Sequence, residues 1–524
     1  VGQVVEGRDA GSISITANAA ALDGRIDAGR TVGVTQRTLQ TRWVGPGVKE
    51  TLAAPQAGRF SLTLTQATDR QSLTFVNGAP TRSVSAAGAV PDELLIRSDL
   101  FDNGIGSFTV DGAGAVVLPE DVKLTVTPTA RVDADGNWSD GSLLSIRATS
   151  FDIDGTITAY GGNVVFDASA GDSNLTAADR AIRFGNNARV SVAGRWVKDA
   201  RGAVGNWVAM DAGSVRAETA GDVVLAEGAS IDASAGAWRT ADGSVKLGDA
   251  GSISLLAGAA INSGSRVPGA IGAYYGTLTL DGSLSAWGVT RGREAGAAGT
   301  LALRSTKIVI DGRDTGVADD GTLLLGQDLF TNYGFADFSI EGGSGVSIGR
   351  SDGAAMLLRP EVRMRRLLDL PAAGQATLDG VGATVAVGRE RRDQATTLRF
   401  AALSNFDGRV EVFKGATVET DAGGAVTLTG NRAITVAGTL RAPGGTITLD
   451  QEEVGAGTNK DSTEFGDIYH GATVFLAPTA VLDVSGTFLR APDLPYVDGT
   501  VFDGGDITLA ARRGFLVVLE GAQL

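Results

Sequence analysis

The sequence predicts an all-β protein, a parallel β-helix drawn out into an elongated rod with inserted loops. Short strands led by Gly recur at short intervals, and within each strand apolar and polar residues alternate. Gly makes up 74 of the 524 residues, roughly double the average usage, and no Gly-X-Y period is present. A hydrophobic share of 43% argues against a disordered chain, since disordered segments have too little apolar surface to bury.

The Gly-led strands are the first element of the prediction. The motif at Gly423–Leu428 recurs a short distance along the chain at Gly444–Leu449. The motif at Gly276–Leu280 recurs after a similar distance at Gly299–Leu303. In each copy Val, Ile or Leu occupies one face and Ser, Thr or Asp the other. Further copies begin at Gly11, Gly221, Gly251 and Gly505.

A turn signature often follows each of these strands a short distance further along the chain. It has an apolar residue, then Asp, then a small residue and often Ser. Copies lie at Ile26–Ala28, Phe166–Ser169, Ile231–Ser234 and Leu482–Gly486. Asp in this position is suited to turning the chain, because its short side chain bonds nearby backbone N–H groups.

The repeat length predicts one coil of a β-helix, since the interval from Gly423 to Gly444 holds three short strands and three turns. A unit this small buries its apolar face only by stacking on the next coil. With every coil at about 24 residues the chain would form about 20 coils and a rod roughly 100 Å long, less any residues excluded in loops.

Three segments break the rhythm of the strands. Residues 29–58 and 68–98 are predicted to protrude as loops, where recognition often takes place. Leu357–Leu370 has no Gly and is predicted to form either a short helix or a long inserted strand.

A longer repeat divides the chain into two β-helical super-repeats, residues 1–250 and 251–524, in one solenoid. The best match pairs Asp99–Gly104 with Asp328–Gly334, and Val190–Trp196 matches Leu482–Phe488 near the ends. The two copies are expected to differ by loop insertions. Because Leu524 aligns with Ile231, which is followed by Asp-Ala-Ser, the native polypeptide is expected to continue beyond residue 524 with a similar turn.

Composition restricts the possible functions. The formal charge of −15 disfavours nucleic-acid binding over the whole surface. The absence of Cys and the single His, His470, leave almost no ligands for zinc, haem or thiol chemistry. The absence of Cys fits a reducing cytosol and also a chain exported unfolded. No apolar run is long enough for a membrane-spanning helix.

Two groups of residues are candidates for contact with a glycan or a protein partner. Sugar rings stack on exposed indoles, but each Trp could instead cover the edge of a coil. An Arg cluster could bind anionic glycans or the acidic face of another rod, but could also be solvated or pair with Glu361, Asp369 and Glu390. The chosen candidates are Trp138, Trp196, Trp207, Trp238, Arg363, Arg365 and Arg366. The other Trp residues are Trp43 and Trp287, and the wider Arg cluster includes Arg359, Arg389, Arg391 and Arg392.

Catalysis is expected to be absent. Polysaccharide lyases and hydrolases on β-helices need paired or clustered carboxylates. The available pairs are Asp152 with Asp154, Asp319 with Asp320, and Asp133 with Asp135. A solvated outer face or a turn is the preferred explanation for each pair. No metal or other cofactor is expected, and only Ca²⁺ at an Asp-rich turn is left open.

The ordered set of motifs resembles large exoproteins of the filamentous haemagglutinin type. The matching motifs are the Gly-Gly-x-Ile-Thr-Leu strands, the Asp turns, the Asp-Leu-Phe-x-Asn block, and Gly194–Val197 before Asp211–Val215. The resemblance covers nearly the whole chain and implies a right-handed parallel β-helix. It also implies secretion from Gram-negative bacteria through a partner outer-membrane barrel, which binds a region not recognised here. The chain therefore resembles an interior stretch of shaft.

The functional expectation is a structural or adhesive shaft of a secreted bacterial surface filament, with host or matrix glycans or proteins and self-association into filaments as its contacts. One alternative is a glycan-binding module that acts through protruding loops. The other is a polysaccharide-degrading β-helix enzyme.

Overall fold

The protein is all-β, with 52% of residues in strands and 4% in helices, as described here from a computed structural model. The structure describes residues 8–31, 40–45, 48–52, 55–66, 70–78, 91–132, 138–170, 178–198, 208–240, 242–258, 276–367, 377–378, 382–402, 408–451, 473–491, 498–512 and 514–524.

The first sheet is a parallel stack of thirteen strands among these residues. Each strand pairs with the next in the following order. The strands are Ser12–Ala17, Gly58–Leu64, Ile105–Asp111, Leu143–Arg147, Asn163–Ala168, Ser214–Thr219, Ser252–Leu256, Gly299–Ile310, Phe335–Ile348, Thr397–Ala402, Ala425–Gly430, Thr446–Gln451 and Asp506–Ala511.

A second parallel stack follows the first around the molecule. Its first part is Glu93–Arg97, Ser72–Val76, Ala115–Leu118, Ser150–Ile153, Ile182–Phe184, Val223–Leu225 and Leu278–Leu280. Its second part is Leu323–Leu324, the C-terminal halves of Gly299–Ile310 and Phe335–Ile348, Arg409–Val412, Ala433–Val436, Thr473–Leu476 and Phe515–Val518. Gly316–Val317 pairs antiparallel with Leu323–Leu324.

The third stack is parallel and is made of shorter strands. They are Lys123–Thr125, Thr156–Thr158, Arg189–Ser191, Ser230–Asp232 and Ser283–Ser285, and further along Met356–Leu358, Ala416–Glu419, Thr439–Arg441 and Val481–Asp483.

In most circuits, successive strands of the chain pass from the first sheet to the second, to the third, and back to the first. One such circuit is called a coil here. This connectivity is consistent with the predicted parallel β-helix. Thirteen first-sheet strands at about 4.8 Å each span roughly 60 Å, so the expected total of about 20 coils and roughly 100 Å overestimates the stack. Chain inserted between the strands accounts for the difference.

The core lies between the sheets, where alternate residues of every strand are buried. Parallel register places like residues above one another: Leu428 stands next to Leu449, and Phe60 next to Phe108 with 5.2 Å between ring centroids. Stacking of equivalent positions buries apolar surface, and each Å² buried stabilises the fold by about 25 cal/mol. A single coil is too small to bury this surface alone.

The recurring Gly has two physical roles. Gly423 and Gly444 turn the chain with positive φ, +75° and +59°. The Gly immediately before the strand instead allows the backbone of the neighbouring coil to approach closely. A Cβ on Gly213 would stand 1.6 Å from the carbonyl oxygen of Gly162, and one on Gly251 would stand 1.8 Å from that of Gly213. Backbones of adjacent coils meet at this corner, so no side chain fits.

The predicted Asp turns are confirmed. The side chains of Asp167, Asp232 and Asp483 each accept a hydrogen bond from the backbone N–H two residues later, at 2.9 to 3.0 Å. These Asp carboxylates satisfy a backbone donor where the chain leaves a strand.

The Gly-led strands are also confirmed as strands, but they do not all belong to one sheet. Gly423 and Gly444 lead neighbouring strands of the first sheet, so the interval between them is a true coil repeat. Gly276 leads a strand of the second sheet and Gly299 one of the first. The interval from Gly276 to Gly299 therefore relates two different sheets and is not a coil repeat.

The described residues of the segment 68–98 do not form the simple protruding loop predicted from the sequence. They contain Ser72–Val76 and Glu93–Arg97, which belong to the second sheet. Leu73, Phe75, Leu94 and Ile96 are no more than 2% exposed. The alternation of apolar residues in both strands was the signal for burial.

The other two irregular segments also contain strands. Within 29–58, Gln40–Gly45 and Val48–Leu52 form an antiparallel pair. Within 357–370, Met356–Leu358 and Arg363–Arg366 are strands, which answers the choice between helix and strand in favour of two short strands.

The described helices are short. Asp99–Asp102 and Gln327–Thr331 are α-helical, and Ala178–Arg180 and Arg389–Arg391 are 3₁₀-helical. Both α-helices directly precede a first-sheet strand, and the two strands lie six places apart in the stack. Val190 and Leu482, which also match in the proposed repeat, lie seven coils apart. The alignment of two copies therefore needs one additional coil in the second.

Candidate functional site

Short strands leave the solenoid at one corner, where the third sheet ends and the first begins, and most of them form antiparallel pairs. We call this set the hairpin row. It consists of Ala130–Val132 with Trp138–Asp140, Trp196–Lys198, Ala237–Arg239 with Val245–Leu247, Gly288–Arg291 with Glu294–Ala295, Arg363–Arg366 with Thr384–Ala386, and Thr487–Arg490 with Gly499–Phe502.

The corner itself does not require these excursions. After Thr156–Thr158 the chain reaches the next first-sheet strand through residues 159–162, and after Thr439–Arg441 it does so through residues 442–445. The longer connections therefore add a feature that the stack does not need. Added structure at a fixed position on a regular scaffold is a common place for recognition.

An apolar underside holds the central part of the row against the solenoid. Trp196, Ala237 and Val289 are buried there with Leu367 and Leu378. Trp196–Lys198 pairs in parallel with Ala237–Arg239, so the excursions of neighbouring coils form a small sheet of their own. The row is thus a packed layer.

One polar contact is fixed on the outer side of this layer. Trp238 stands opposite Lys246 across the antiparallel pair, and the Lys246 ammonium lies 4.9 Å from the centroid of the Trp238 ring system. This is the geometry of a cation–π contact. Trp238 is half-buried and Lys246 is exposed.

The row carries positive charge in an acidic protein. Its seven central strands, from Trp196–Lys198 to Thr384–Ala386, contain seven Lys or Arg residues and one Glu, a formal charge of +6, while the whole chain carries −15. The cations are Lys198, Arg239, Lys246, Arg291, Arg363, Arg365 and Arg366. Lys198, Lys246, Arg291 and Arg366 are exposed.

The row brings together most of the residues selected from the sequence. Trp196 is 6% exposed and belongs to its underside, so it packs under the row. Trp238 belongs to the outer side. Trp138 lies on a strand of the row, opposite Val132. Trp207 lies outside the described residues.

The three selected Arg residues lie on one strand of the row. The Arg363 guanidinium pairs with Glu361 at 2.7 Å, as the alternative interpretation expected. Arg365 is half-buried and also has a partner. Arg366 is exposed at the end of the strand.

The rest of the Arg cluster is mainly structural. The Arg392 side chain is 4% exposed and pairs with Asp421. Its Nε donates to the carbonyl oxygen of Val387. Arg389 donates to the carbonyl oxygen of Ala422, and Arg359 pairs with Glu419 at 3.6 Å. These contacts tie the long excursion after residue 358 back to the solenoid.

Burial and hydrogen bonding shift three pKa values at the row. Burial lowers the pKa of Arg195 and raises the pKa of Asp211, which lies close to Asp249. At the tip between Ala237–Arg239 and Val245–Leu247, hydrogen bonds from Thr240 and Ser244 lower the pKa of Asp242 to about 2. The exposed tip is thus closed by an ionised carboxylate.

Four cations of the row were not selected from the sequence: Lys198, Arg239, Lys246 and Arg291. A signal was available, because Lys198 follows Trp196 by two residues and Arg239 directly follows Trp238. Aromatic residues with a cation close behind them mark the start of an excursion in both coils.

The described carboxylate pairs lie on a strand and in turns. Asp152 is exposed on a second-sheet strand opposite Arg183. Asp154 lies in the following turn and accepts hydrogen bonds from Asn187, through backbone N at 2.9 Å and Nδ2 at 3.2 Å. Asp320 accepts one from Thr322 N, and Asp319 is exposed. Asp133, Asp135 and His470 lie outside the described residues.

Within residues 119–282, the turns between the second and third sheets form a second charged feature, which we call the acidic corner. Its carboxylates are Glu120, Asp121, Asp154, Glu227 and Asp281. Adjacent turns contact each other, since the Asp154 N–H donates to Leu118 and the Asp281 N–H to Leu225 of the preceding coils. Lys123 and Arg189 begin the third-sheet strands on either side of Thr156–Thr158, and the corner keeps an excess of carboxylates.

A hollow of about 490 Å³ opens at the acidic corner. Glu227, Asp281, Asp314 and Asp328 line it together with Tyr333. Burial raises the pKa of the Tyr333 hydroxyl, and the neighbouring Asp328 raises it further. Within the described ranges no three acidic or His side chains stand close enough to hold a metal ion.

No family model, no curated protein and no solved structure matches the chain. Within the part of the chain that the structure describes, no helix has the length and apolar character needed to cross a membrane.

Proposed function

We propose that this chain is a non-catalytic shaft segment of a secreted bacterial surface filament or adhesin, built as a right-handed parallel β-helix. The observation that carries the proposal is the first sheet. From Gly58–Leu64 to Thr446–Gln451, each of its strands pairs on both sides with strands of other coils. Tension along such a stack must break several backbone hydrogen bonds in each coil.

The motif set resembling filamentous haemagglutinin-type exoproteins supports the same proposal and supplies its cellular setting. Export through an outer-membrane barrel from a Gram-negative cell suits a chain without Cys. Repeats of this kind fold by propagation from one coil to the next, which fits folding during emergence.

Immunolabelled electron micrographs of the producing cells test the biological proposal. The expected result is label along fibres that leave the surface, with cells lacking the gene as the control. Label confined to the cell interior would overturn the proposal.

Single-molecule pulling tests the mechanical part. Tethers at the two ends of the chain are expected to give a series of steps, each releasing the length of chain that makes up one coil. Because coils differ in the chain inserted between their strands, the step lengths should differ as well. A single low-force event that releases the whole chain would contradict a load-bearing stack.

Glycan binding by the hairpin row is the second candidate function. Trp238 favours it, because its half-buried ring lies on the outer side of the row beside exposed Lys246. A glycan array probed with the native chain and with Trp238→Ala tests it. Binding that the variant lacks supports a glycan module, while equal signals from both proteins count against it.

A further inference from the structure

Two oppositely charged surfaces lie at different corners of the same solenoid. The hairpin row is basic and leaves the solenoid where the third sheet ends. The acidic corner lies where the third sheet begins. The third sheet separates the two, and each presents exposed charged side chains, such as Lys246 and Arg291 in the row and Glu227 and Asp281 at the corner.

The two surfaces also overlap along the axis. Lys198, Lys246 and Arg291 extend from three successive coils. Glu227 and Asp281 belong to the second and third of these coils. The hollow beside them adds Asp314 and Asp328.

Their spacing matches over the coils that they share. Lys246 and Arg291 lie one coil apart, as do Glu227 and Asp281, and adjacent coils lie about 4.8 Å apart. In two copies laid side by side, cations of one row therefore meet carboxylates of the other corner at the same interval. An unrelated acidic partner would have no reason to share this interval.

We propose that the hairpin row of one molecule docks on the acidic corner of a second copy, so that shafts associate sideways. The exposed cations Lys246 and Arg291 face Glu227 and Asp281, with Arg366 and Glu120 further along the two surfaces, and the hollow receives a cationic side chain. The two surfaces differ, so the contact is heterologous and joins more than two copies. This inference rests on the proposed shaft role and names its partner.

Sedimentation velocity of the purified chain tests the contact. In about 20 mM salt the average mass should rise with protein concentration, and in about 500 mM salt it should return to that of a monomer, because salt screens exposed charges. A chain that stays monomeric at both salt concentrations would overturn the proposal.

Charge reversal tests which surfaces meet. A row variant combines Lys246→Glu, Arg291→Glu and Arg366→Glu, and a corner variant combines Glu120→Lys, Glu227→Lys and Asp281→Lys. Each alone should associate at least about tenfold more weakly than the native chain. An equimolar mixture should associate again, because the acidic row of one fits the basic corner of the other.

A matched control has the same change in net charge elsewhere. Arg183, Arg399 and Arg409 are exposed cations on strands of the first and second sheets. Reversing all three to Glu should leave association close to native. Equal loss in this control, or no recovery in the mixture, would show an effect of net charge and overturn the specific contact.

Two other results distinguish sideways docking from glycan binding by the row and from the shaft role. If the native chain remains monomeric but a polyanionic polysaccharide retains it and not the row variant, the row binds glycans and the inference is wrong. If micrographs show single, unbundled fibres, the shaft role stands and sideways docking fails. Absence of fibres would instead defeat the proposed function itself.

Discussion

The stacked sheets and the hairpin row are built from the same coils but follow different rules. In the sheets, each residue has an equivalent above and below it, so one pattern of alternating apolar residues serves every coil. In the row, each excursion has its own length and pairs largely with itself. The sheets therefore supply a regular scaffold, while the row supplies the variable, charged surface on it.

This contrast predicts different consequences for mutations in the two regions. A change in the sheets is transmitted to neighbouring coils through shared packing. A change at the surface of the row should leave the solenoid intact and affect contacts with partners. The predictions below test that separation, beginning with the largest expected effect.

Phe108→Ala should be the most damaging. Phe108 is fully buried and contacts the rings of Phe60, Phe75 and Phe101. Loss of the ring should cost about 3–5 kcal/mol. Denaturant titration, with hydrogen exchange of the neighbouring strands, measures the loss and its spread.

The matched control is Phe488→Ala in the hairpin row. Phe488 is 47% exposed, so its loss should change stability by no more than about 0.5 kcal/mol. Equal effects at the two positions would remove the distinction between scaffold and row.

Gly213→Ala should rank second. Its Cβ would stand 1.6 Å from the carbonyl oxygen of Gly162, so adjacent coils must separate. Overpacking of this kind costs about 1–3 kcal/mol or more. Gly316→Ala is the control, because nothing lies within 4 Å of the added Cβ. A stable Gly213→Ala variant would show that close approach is not the reason for Gly here.

Arg304→Met should have an intermediate effect. The Arg304 side chain is 15% exposed and bonds Glu341 at 2.9 Å and Glu218 at 3.4 Å, which joins strands of three coils. Its removal leaves Glu341, 16% exposed, without that cation and should cost about 2 kcal/mol. Thermal unfolding compared with Arg399→Met, an exposed Arg of the same sheet, measures the difference.

Asp242→Asn should have the smallest effect, confined to one hairpin tip. The pKa of Asp242 is lowered to about 2, so its ionised form stabilises the tip above the ordinary carboxyl pKa. That contribution is lost as the pH falls from about 4 towards 2. At residues 242–246 the protection factors, which correct amide exchange for its intrinsic pH dependence, should fall over this range in the native chain and be low at all pH values in the variant. A change in global unfolding would contradict a local role.

Much of the scaffold could be predicted because its signals are local and repeated. Gly423–Leu428 and Gly444–Leu449 each show a turn and an alternating strand within a few residues, and their spacing is the length of a coil. The Asp turns at Asp232 and Asp483 needed only neighbouring residues. The segment 68–98 was misjudged because no Gly-led motif marks its two strands, although Leu73 and Phe75 alternate as the core requires.

The candidate site was predictable only in part. Trp238 and Arg366 stand out in the sequence by residue type, and both lie in the hairpin row. Nothing in the sequence near either residue indicates that they share a corner, because they are far apart along the chain. Arg392 resembles Arg366 in the sequence but is buried against Asp421, a partner outside its own segment.

The sequence by itself determined the class of fold, since alternation, Gly and Asp turns act within a few residues and stacking repeats their effect in every coil. Only the tertiary structure decided which residues meet across coils. Inserted segments of unequal length separate successive strands. Each excursion comes to lie at its corner only because the chain completes a circuit around the solenoid. The basic row and the acidic corner arise from that closure.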